Sequence, residues 1–289
     1  MAGQAQPLKR PEDYPAQEPM SAPGAVYSGE CFSRSAGIPG IDVAYGDDPY
    51  QGIVLFPPRR PNGTVLAFVH GGGWTNGYRE WMAFMAPPFA EAGLLFASIG
   101  YRLAPKHVFP TGVEDVAAGI AWLYRHVGEH GGDPSRLFVG GHSAGGHYTA
   151  LLAVRRDWQA GLGLPADVVR GCLPISGVYD LTEAGGLSQR PRFLGPPGRE
   201  REASPLYNIE GTPPPFLLAH GSKDFPHLMR QAEAMEAALR GAGGDVERLV
   251  LDGRDHFTAS YAGGEAAGPW VPRALAWLEA RSRAGGGRT

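Results

Sequence analysis

The pentapeptide G-H-S-A-G at 141–145 has the residue types and the spacing of a turn that presents a nucleophile. It follows a short apolar run at 137–140 and precedes a helix-like stretch from 146 to about 155. A serine at the apex of a sharp strand-to-helix turn is held in a strained backbone conformation, which lifts its hydroxyl out of the sheet. The glycines are required because side chains there would collide with the neighbouring strand and helix. The pattern therefore predicts Ser143 as a nucleophile.

A serine hydroxyl is a poor nucleophile unless a base lies within hydrogen-bond reach and an acid orients that base. Where such a turn carries the nucleophile, the acid and then the histidine follow it along the chain. Asp224 lies four residues past an apolar run at 216–220, and His256 lies five residues past Leu251, which ends another run. Because parallel strands end at one edge of a sheet, we expect Asp224 and His256 beside Ser143.

Three other carboxylates compete for the role of the acid. Asp252 is the alternative if Asp224 faces solvent, and Asp180 follows the predicted strand that ends at Ser176. Asp255 is weaker, because a residue adjacent to His256 cannot easily bond its Nδ1 atom. Among the other histidines, His126, His130 and His227 are expected to be structural or at the surface, and His142 and His147 structural or pocket-lining.

The segment H-G-G-G-W at 70–74 offers donors for a developing negative charge. The N–H groups of Gly72 and Gly73 are expected to point at the substrate oxygen, together with the N–H of Ala144 after the nucleophile. Each such donor is typically worth about 3 kcal/mol of transition-state stabilisation. A phosphate-cradling loop is the alternative, but neither G-x-x-x-x-G-K-[ST] nor G-x-G-x-x-G is present. His70 is expected to anchor the loop.

The elements that position these residues alternate between strands and helices, which predicts an α/β fold with a mostly parallel sheet covered on both faces. The β-like runs before the first predicted helix indicate an antiparallel entry to that sheet. Strands are predicted at 41–45, 51–56, 64–70, 94–101, 137–140, 169–176, 216–220 and 246–251, and helices at 80–92, 113–127, 146–155, 227–239 and 270–281.

The predicted domain organisation is simple. Residues 1–25 are expected to form an irregular arm, because prolines at 7, 11, 15, 19 and 23 disfavour helix and strand pairing. Residues 26–289 are expected to form one domain. Within it, the long Gly-, Pro- and Arg-rich connection at 177–215 is expected to be a small cap or pocket wall.

Composition excludes several classes of protein. The 289 residues carry a net charge of −3 and no basic stripe, so no nucleic-acid partner is expected. No run of about 18 apolar residues predicts a membrane span, and the N-terminus lacks the features of a secretory signal. The default expectation is therefore a cytoplasmic protein. Cys31 and Cys172 form no disulfide framework and no metal motif, and both are expected to be reduced. A homodimer is allowed, but no residue argues for one.

Several motifs resemble the hormone-sensitive-lipase-like α/β-hydrolases: H-G-G-G-W at 70–74, Y-R-L-A-P at 101–105, F-P at 109–110, E-D at 114–115 and G-H-S-A-G-G-H at 141–147. The Y-G-D at 45–47 followed by Gln51, and the terminal D-H-F at 255–257, look most like the arylformamidase (kynurenine formamidase-like) and related carboxylesterase branch. The resemblance spans roughly residues 41 to 280.

This resemblance implies an α/β-hydrolase fold with an eight-stranded sheet. It also implies a triad of Ser143, His256 and Asp224, with oxyanion donors at the three predicted positions, no metal and no organic cofactor. The expected activity is hydrolysis of a small ester or aryl formamide by a serine hydrolase. The side chains expected to bind substrate are Trp74, Tyr148, Tyr179 and Phe257, whereas Trp81 and Phe84 are at least as readily explained as core. The alternative is a noncatalytic protein that binds a small ligand on the same fold.

Overall fold

A computed structural model describes residues 4–186 and 191–284. Residues 1–3 of the predicted arm, 187–190 of the predicted insert and 285–289 of the predicted domain lie outside the described residues. The strands are β1 (Ile41–Ala44), β2 (Gly52–Phe56), β3 (Gly63–Val69), β4 (Leu95–Ile99), β5 (Gly132–His142), β6 (Cys172–Ile175), β7 (Phe216–Gly221) and β8 (Val246–Leu251).

The helices surround this sheet. The α-helices are α1 (Ala22–Arg34), α2 (Ala86–Glu91), α3 (Thr111–His126), α4 (Ala144–Val154), α5 (Glu200–Ala203), α6 (Pro226–Gly241), α7 (His256–Tyr261) and α8 (Val271–Ala284). Short 3-10 helices lie at Pro11–Asp13, Arg79–Met85, Val127–His130, Ala160–Leu162, Glu183–Gly185, Pro205–Tyr207 and Ala262–Gly264.

Within the described residues, the eight strands form one sheet in the order β1-β2-β4-β3-β5-β6-β7-β8. The β1–β2 and β2–β4 pairs are antiparallel and the other neighbours are parallel, which confirms the mostly parallel sheet and its antiparallel entry. The apolar runs of the central strands are buried, as strands covered on both faces must be. The prediction that residues 26–289 form a single domain stays a prediction.

The parallel strands end at one edge of the sheet, and the loops that follow them meet there. Val69 of β3 pairs with Gly141 of β5, so the segment that begins at His70 lies beside Ser143. Ile175 of β6 pairs with His142 on one side and with Ala219 of β7 on the other. The register therefore brings the candidate residues of four separate segments to the same place.

The sequence pattern does not predict three of the α-helices: α1, the short α5 and α7. The expectation that prolines keep residues 1–25 irregular is wrong from Ala22 onward, where α1 begins. Pro23 lies in the first turn, where a missing N–H removes no helical hydrogen bond, and the Ser21 side chain accepts a bond from Gly24 N. Helix α7, which carries His256, was not predicted either; Asp255 caps its start.

The helix predicted over 80–92 is two elements. A 3-10 helix at Arg79–Met85 precedes α2 at Ala86–Glu91. Pro87 and Pro88 have no N–H to donate to the preceding turn, so they fit the first turn of α2 but not the interior of one helix over 80–92. No helix of the described residues is long and apolar enough to cross a membrane.

Candidate active site

Ser143 lies at the apex of the turn between β5 and α4. Its backbone has φ 53° and ψ −115°, a region that non-glycine residues rarely adopt. A Cβ atom on Gly141 would lie 2.3 Å from the carbonyl carbon of Gly145, and a Cβ on Gly145 would lie 2.1 Å from the carbonyl oxygen of Val69. These approaches confirm that both glycines of the pentapeptide are a steric requirement.

A chain of hydrogen bonds joins the three side chains that the sequence singled out. His256 Nε2 lies 2.9 Å from Ser143 Oγ, and His256 Nδ1 lies 2.9 Å from Asp224 Oδ1. An ionised carboxylate only accepts hydrogen bonds, so Nδ1 carries the proton and Nε2 is free to accept the proton of the serine hydroxyl. His256 and Asp224 are both buried.

The surroundings of Asp224 keep it ionised. Burial raises the pKa of this carboxyl, but the hydrogen bond and charge of His256 and the bonds from Ser176 and the Phe225 N–H outweigh it and lower the pKa to about 2. The Phe225 N–H donates to Oδ1 over 2.7 Å, and the Ser176 hydroxyl donates to Oδ2. A negative charge is thereby fixed next to the imidazole.

The competing carboxylates have other partners. Asp255 caps α7 and accepts bonds from the N–H groups of Phe257 and Thr258. Asp252 accepts a bond from the Ser222 hydroxyl over 3.2 Å. Asp180 accepts the N–H and hydroxyl of Thr182. These contacts leave Asp224 as the carboxylate bonded to His256.

Ser176, whose hydroxyl bonds Asp224, is a residue of the site that the sequence does not predict. It has a positive φ of 52°, and its N–H donates to Ala219 O over 2.7 Å, so its backbone is tied to β7. The available signal was positional: Ser176 is a polar residue directly after β6, next to the strand whose loop carries Asp224.

The loop after β3 presents free N–H groups near Ser143. Gly72 has φ +113° and Gly73 has φ +60°, and no acceptor within the described parts of the chain bonds to either N–H. The carbonyl of Gly72 accepts bonds from the N–H groups of Thr75 and Asn76, which closes the loop. A Cβ on Gly72 would lie 2.0 Å from Asn76 O, so only glycine fits there.

His70 and Ala144 flank this loop. The Nδ1–H of His70 donates to Gly71 O over 2.8 Å, and its ring stacks on Tyr101 with centroids 4.4 Å apart. Burial lowers the pKa of His70 to about 4, so the ring is neutral and suited to hold the loop. Ala144 is the first residue of α4, where a helix leaves its N–H groups without a helical partner.

A cavity of about 470 Å³ opens above Ser143. The lining side chains come from the N-terminal arm, α1, the glycine loop (residues 70–77), the 3-10 helix at Arg79–Met85, the predicted insert, the start of α6, and α7. They include Pro19, Met20, Tyr27, Trp74, Trp81, Val178, Arg192, Phe225, His227, Leu228, His256 and Phe257. Five of these side chains are Tyr, Trp or Phe rings, and Arg192 adds a positive charge.

The four side chains predicted to bind substrate divide into two pairs. Trp74 and Phe257 line the cavity. Tyr148 and Tyr179 are fully buried and do not belong to its lining; Tyr148 packs edge-on against Tyr101 with centroids 5.0 Å apart. The structure therefore does not bring these two tyrosines to the site.

The two histidines near the nucleophile, His142 and His147, hold neighbouring segments in place, and His142 also lines the cavity. His142 donates from Nε2 to the carbonyl of His256 over 2.9 Å, and burial, followed by the charge of His256, lowers its pKa to about 3. His147 accepts the Trp74 indole N–H over 3.1 Å and donates to Ala203 O. Burial lowers the pKa of His147 to about 4. His227, expected to be structural or at the surface, lines the cavity.

The two cysteines lie apart from the triad, in a helix and a strand. Cys31 in α1 and Cys172 in β6 are free and buried. Within residues 4–186 and 191–284, no group of three or more His, Cys, Asp or Glu side chains is arranged to hold a metal ion.

Known proteins are similar to this chain in sequence and in fold. The BD-FAE family matches residues 53–239. Esterase LipQ of Mycobacterium tuberculosis (strain ATCC 25618 / H37Rv) is 33% identical over 224 residues, which is 70% of this chain and 53% of LipQ. Esterase LipC of the same strain is 34% identical over 237 residues, 74% of this chain and 58% of LipC. The chain thus spans little more than half the length of these curated relatives.

Solved structures give the same fold. EstE1, a thermophilic carboxylesterase cloned from a metagenomic library, superposes with a TM-score of 0.70 at 22% identity over 92% of this chain and 98% of EstE1. This likeness confirms the α/β-hydrolase fold.

Proposed function

The chain belongs to the BD-FAE family, a hormone-sensitive-lipase-like α/β-hydrolase family, and on that premise we propose that it is a serine hydrolase that cleaves small carboxylic esters. The observation that carries the proposal is the hydrogen-bonded chain from Ser143 through His256 to Asp224 at the floor of an aromatic cavity. A nucleophile, a base with the correct tautomer and an orienting anion are what acyl transfer to water requires.

In the acylation step, Ser143 Oγ attacks the ester carbonyl carbon while its proton passes to His256 Nε2. The electron pair of the carbonyl bond moves to oxygen, which becomes an oxyanion. The tetrahedral intermediate then collapses, its bond to the alcohol oxygen breaks, and His256 returns the proton to that oxygen. The products are free alcohol and an acyl ester of Ser143.

The N–H groups of Gly72, Gly73 and Ala144 are proposed to hold the oxyanion. The free N–H groups of the two glycines and the start of α4 beside Ser143 support this role. In the deacylation step, water gives a proton to His256 and attacks the acyl carbon. A second oxyanion forms in the same place, and Ser143 leaves with the proton from His256.

Two observations favour an ester over an aryl formamide. The relatives LipQ and LipC are named esterases. A formyl group needs almost no acyl pocket, whereas the cavity of about 470 Å³ has room for both a short acyl chain and a leaving alcohol. The aromatic wall suits an apolar substrate.

The test is a comparison of rates on p-nitrophenyl acetate, p-nitrophenyl butyrate and N-formylkynurenine. We expect both esters to be cleaved and N-formylkynurenine to be the poorest of the three, judged by kcat/KM. A preference for N-formylkynurenine would replace the ester by an aryl formamide. Ligand binding without turnover of any of the three would favour the noncatalytic alternative.

A further inference from the structure

Residues 14–21 of the N-terminal arm cross the loop that carries Gly72 and Gly73; we call this segment the strap. The side chain of Gln17 bonds the backbone of Gly77 twice. Its Nε2 donates to Gly77 O over 2.9 Å, and the Gly77 N–H donates to its Oε1 over 2.9 Å. Glu18, the next residue of the strap, accepts a bond on its carbonyl oxygen from Asn76 Nδ2 over 2.6 Å. The strap thus meets the glycine loop at two successive residues.

The part of the loop that the strap holds is the part that closes onto Gly72. The N–H of Asn76 donates to Gly72 O over 3.0 Å, so a shift of residues 76–77 moves Gly72 with them. Gly77 has φ +122°, and a Cβ there would lie 2.2 Å from His70 Nδ1. The loop is therefore confined between His70 on its inner side and Gln17 on its outer side.

The strap has its own anchors and does not depend on the loop for its position. The Tyr14 hydroxyl donates to the buried Glu80 Oε1 over 2.8 Å, and the Tyr50 hydroxyl donates to Pro15 O over 2.7 Å. Tyr14 is 8% exposed and packs against the Tyr50 and Tyr78 rings. Gln17 therefore projects from a fixed backbone.

We propose that Gln17 is a positioning residue: its paired bonds with Gly77 hold the glycine loop so that the N–H groups of Gly72 and Gly73 face the oxyanion that forms at Ser143. This inference rests on the proposed function of that site. Oxyanion donors act through placement, and a shift of about 1 Å in a catalytic group costs up to roughly a hundredfold in rate. A fixed strap on the outer side of the loop is a physical means of preventing that shift.

If Gln17 acts by positioning the loop, loss of its side chain should lower kcat and leave KM nearly unchanged. Pro19, Met20 and Ser21 of the strap line the cavity, which places them to contact a bound substrate. Gln17 is not part of that lining, and its bonds go to the backbone of the loop. Loss of the Gln17 side chain should therefore weaken the transition state more than the bound ester.

The experiment compares Gln17→Ala and Gln17→Glu with the wild type. Gln17→Glu keeps the size of the side chain and the acceptor for the Gly77 N–H, but at pH 8 it loses the donor to Gly77 O. We expect both variants to lower kcat for p-nitrophenyl acetate by about tenfold to a hundredfold, with KM changed by less than about threefold. Affinity for a trifluoromethyl ketone, whose adduct with serine places an oxyanion in the same position, should fall by the same factor as kcat.

Lys9→Ala is the matched control, because Lys9 also ties the arm to the body of the protein, through Asp42 at 2.7 Å, without reaching the loop. Its kcat should stay within about twofold of the wild type. Unchanged kcat in the isosteric Gln17→Glu variant, or equal losses of kcat in Lys9→Ala, would overturn the inference while leaving the hydrolase intact. A wild type that neither turns over the ester nor binds the ketone would instead overturn the proposed function, and the role of Gln17 with it.

Discussion

Replacement of Asp224 by asparagine separates the charge of this residue from its geometry. In the native site Oδ1 accepts two bonds, from His256 Nδ1 and the Phe225 N–H, whereas Oδ2 accepts one from Ser176. An asparagine amide satisfies the same partners if its oxygen takes the Oδ1 position. Its NH₂ group then donates to the Ser176 hydroxyl, which turns to accept. The His256 tautomer is preserved, and what disappears is the negative charge.

The size of the effect follows from the distance. A 2.9 Å bond between Nδ1 and Oδ1 places the charges of imidazolium and carboxylate about 4 Å apart. At an effective dielectric constant of about 20 this attraction is worth about 4 kcal/mol. The imidazolium exists only after His256 has taken the serine proton, so the loss falls on the transition state. We therefore expect kcat for p-nitrophenyl acetate to fall by roughly a thousandfold.

Asp252→Asn is the control for this experiment, since Asp252 follows the neighbouring strand and bonds Ser222 rather than His256. Steady-state kinetics and thermal unfolding of both variants give the answer. A loss of less than about tenfold in Asp224→Asn would mean that its charge does not assist His256. A loss as large as that of Ser143→Ala would mean that the amide is reversed, contrary to the orientation that Phe225 and Ser176 impose.

Two further substitutions test the architecture around the site. Ser176→Ala removes a hydrogen bond to Asp224, so the carboxyl pKa should rise from about 2 toward 3.8. Because the pKa of Asp224 is lower in the folded than in the unfolded protein, its ionisation stabilises the fold above about pH 4. This contribution is lost as the pH falls through about 2. Chemical denaturation should therefore show a loss of about 1.5 to 3 kcal/mol at pH 7 that shrinks toward pH 2; a difference independent of pH would contradict the assignment. Gly145→Ala should cost about 3 kcal/mol or more, because its Cβ would lie 2.1 Å from Val69 O, whereas a Cβ on Gly161 meets nothing within 4 Å and Gly161→Ala should be close to neutral in the same measurement.

The sequence predicted the centre of the site because each of its residues follows a buried apolar run. Parallel strands end at one edge, so Ser143, Asp224 and His256 were expected together, and the structure brings them into contact. The same reasoning placed Gly72 and Gly73 after β3. At these positions the local sequence pattern predicts where each strand ends, and the parallel sheet brings those ends together. The prediction therefore needs no knowledge of side-chain packing between distant segments.

The remaining features depend on tertiary contacts that no local pattern encodes. Tyr148 and Trp74 are both aromatic and both about 2% exposed, yet Trp74 lines the cavity whereas Tyr148 packs edge-on against Tyr101. Gln17 lies 60 residues from Gly77 in the chain. The sequence does not predict helix α1 because proline breaks most helices, although the first turn, where Pro23 lies, tolerates it.

Covalent labelling of Ser143 is the most direct test of the proposed chemistry. A serine that a neighbouring base activates attacks the phosphorus of a fluorophosphonate and displaces fluoride, so intact-mass and peptide mass spectrometry should find one adduct, on Ser143, with ester hydrolysis lost in proportion to labelling. Ser143→Ala should keep its fold, take no label and have no turnover. Folded wild type that remains unlabelled, or a Ser143→Ala variant that hydrolyses esters at near the wild-type rate, would contradict the account.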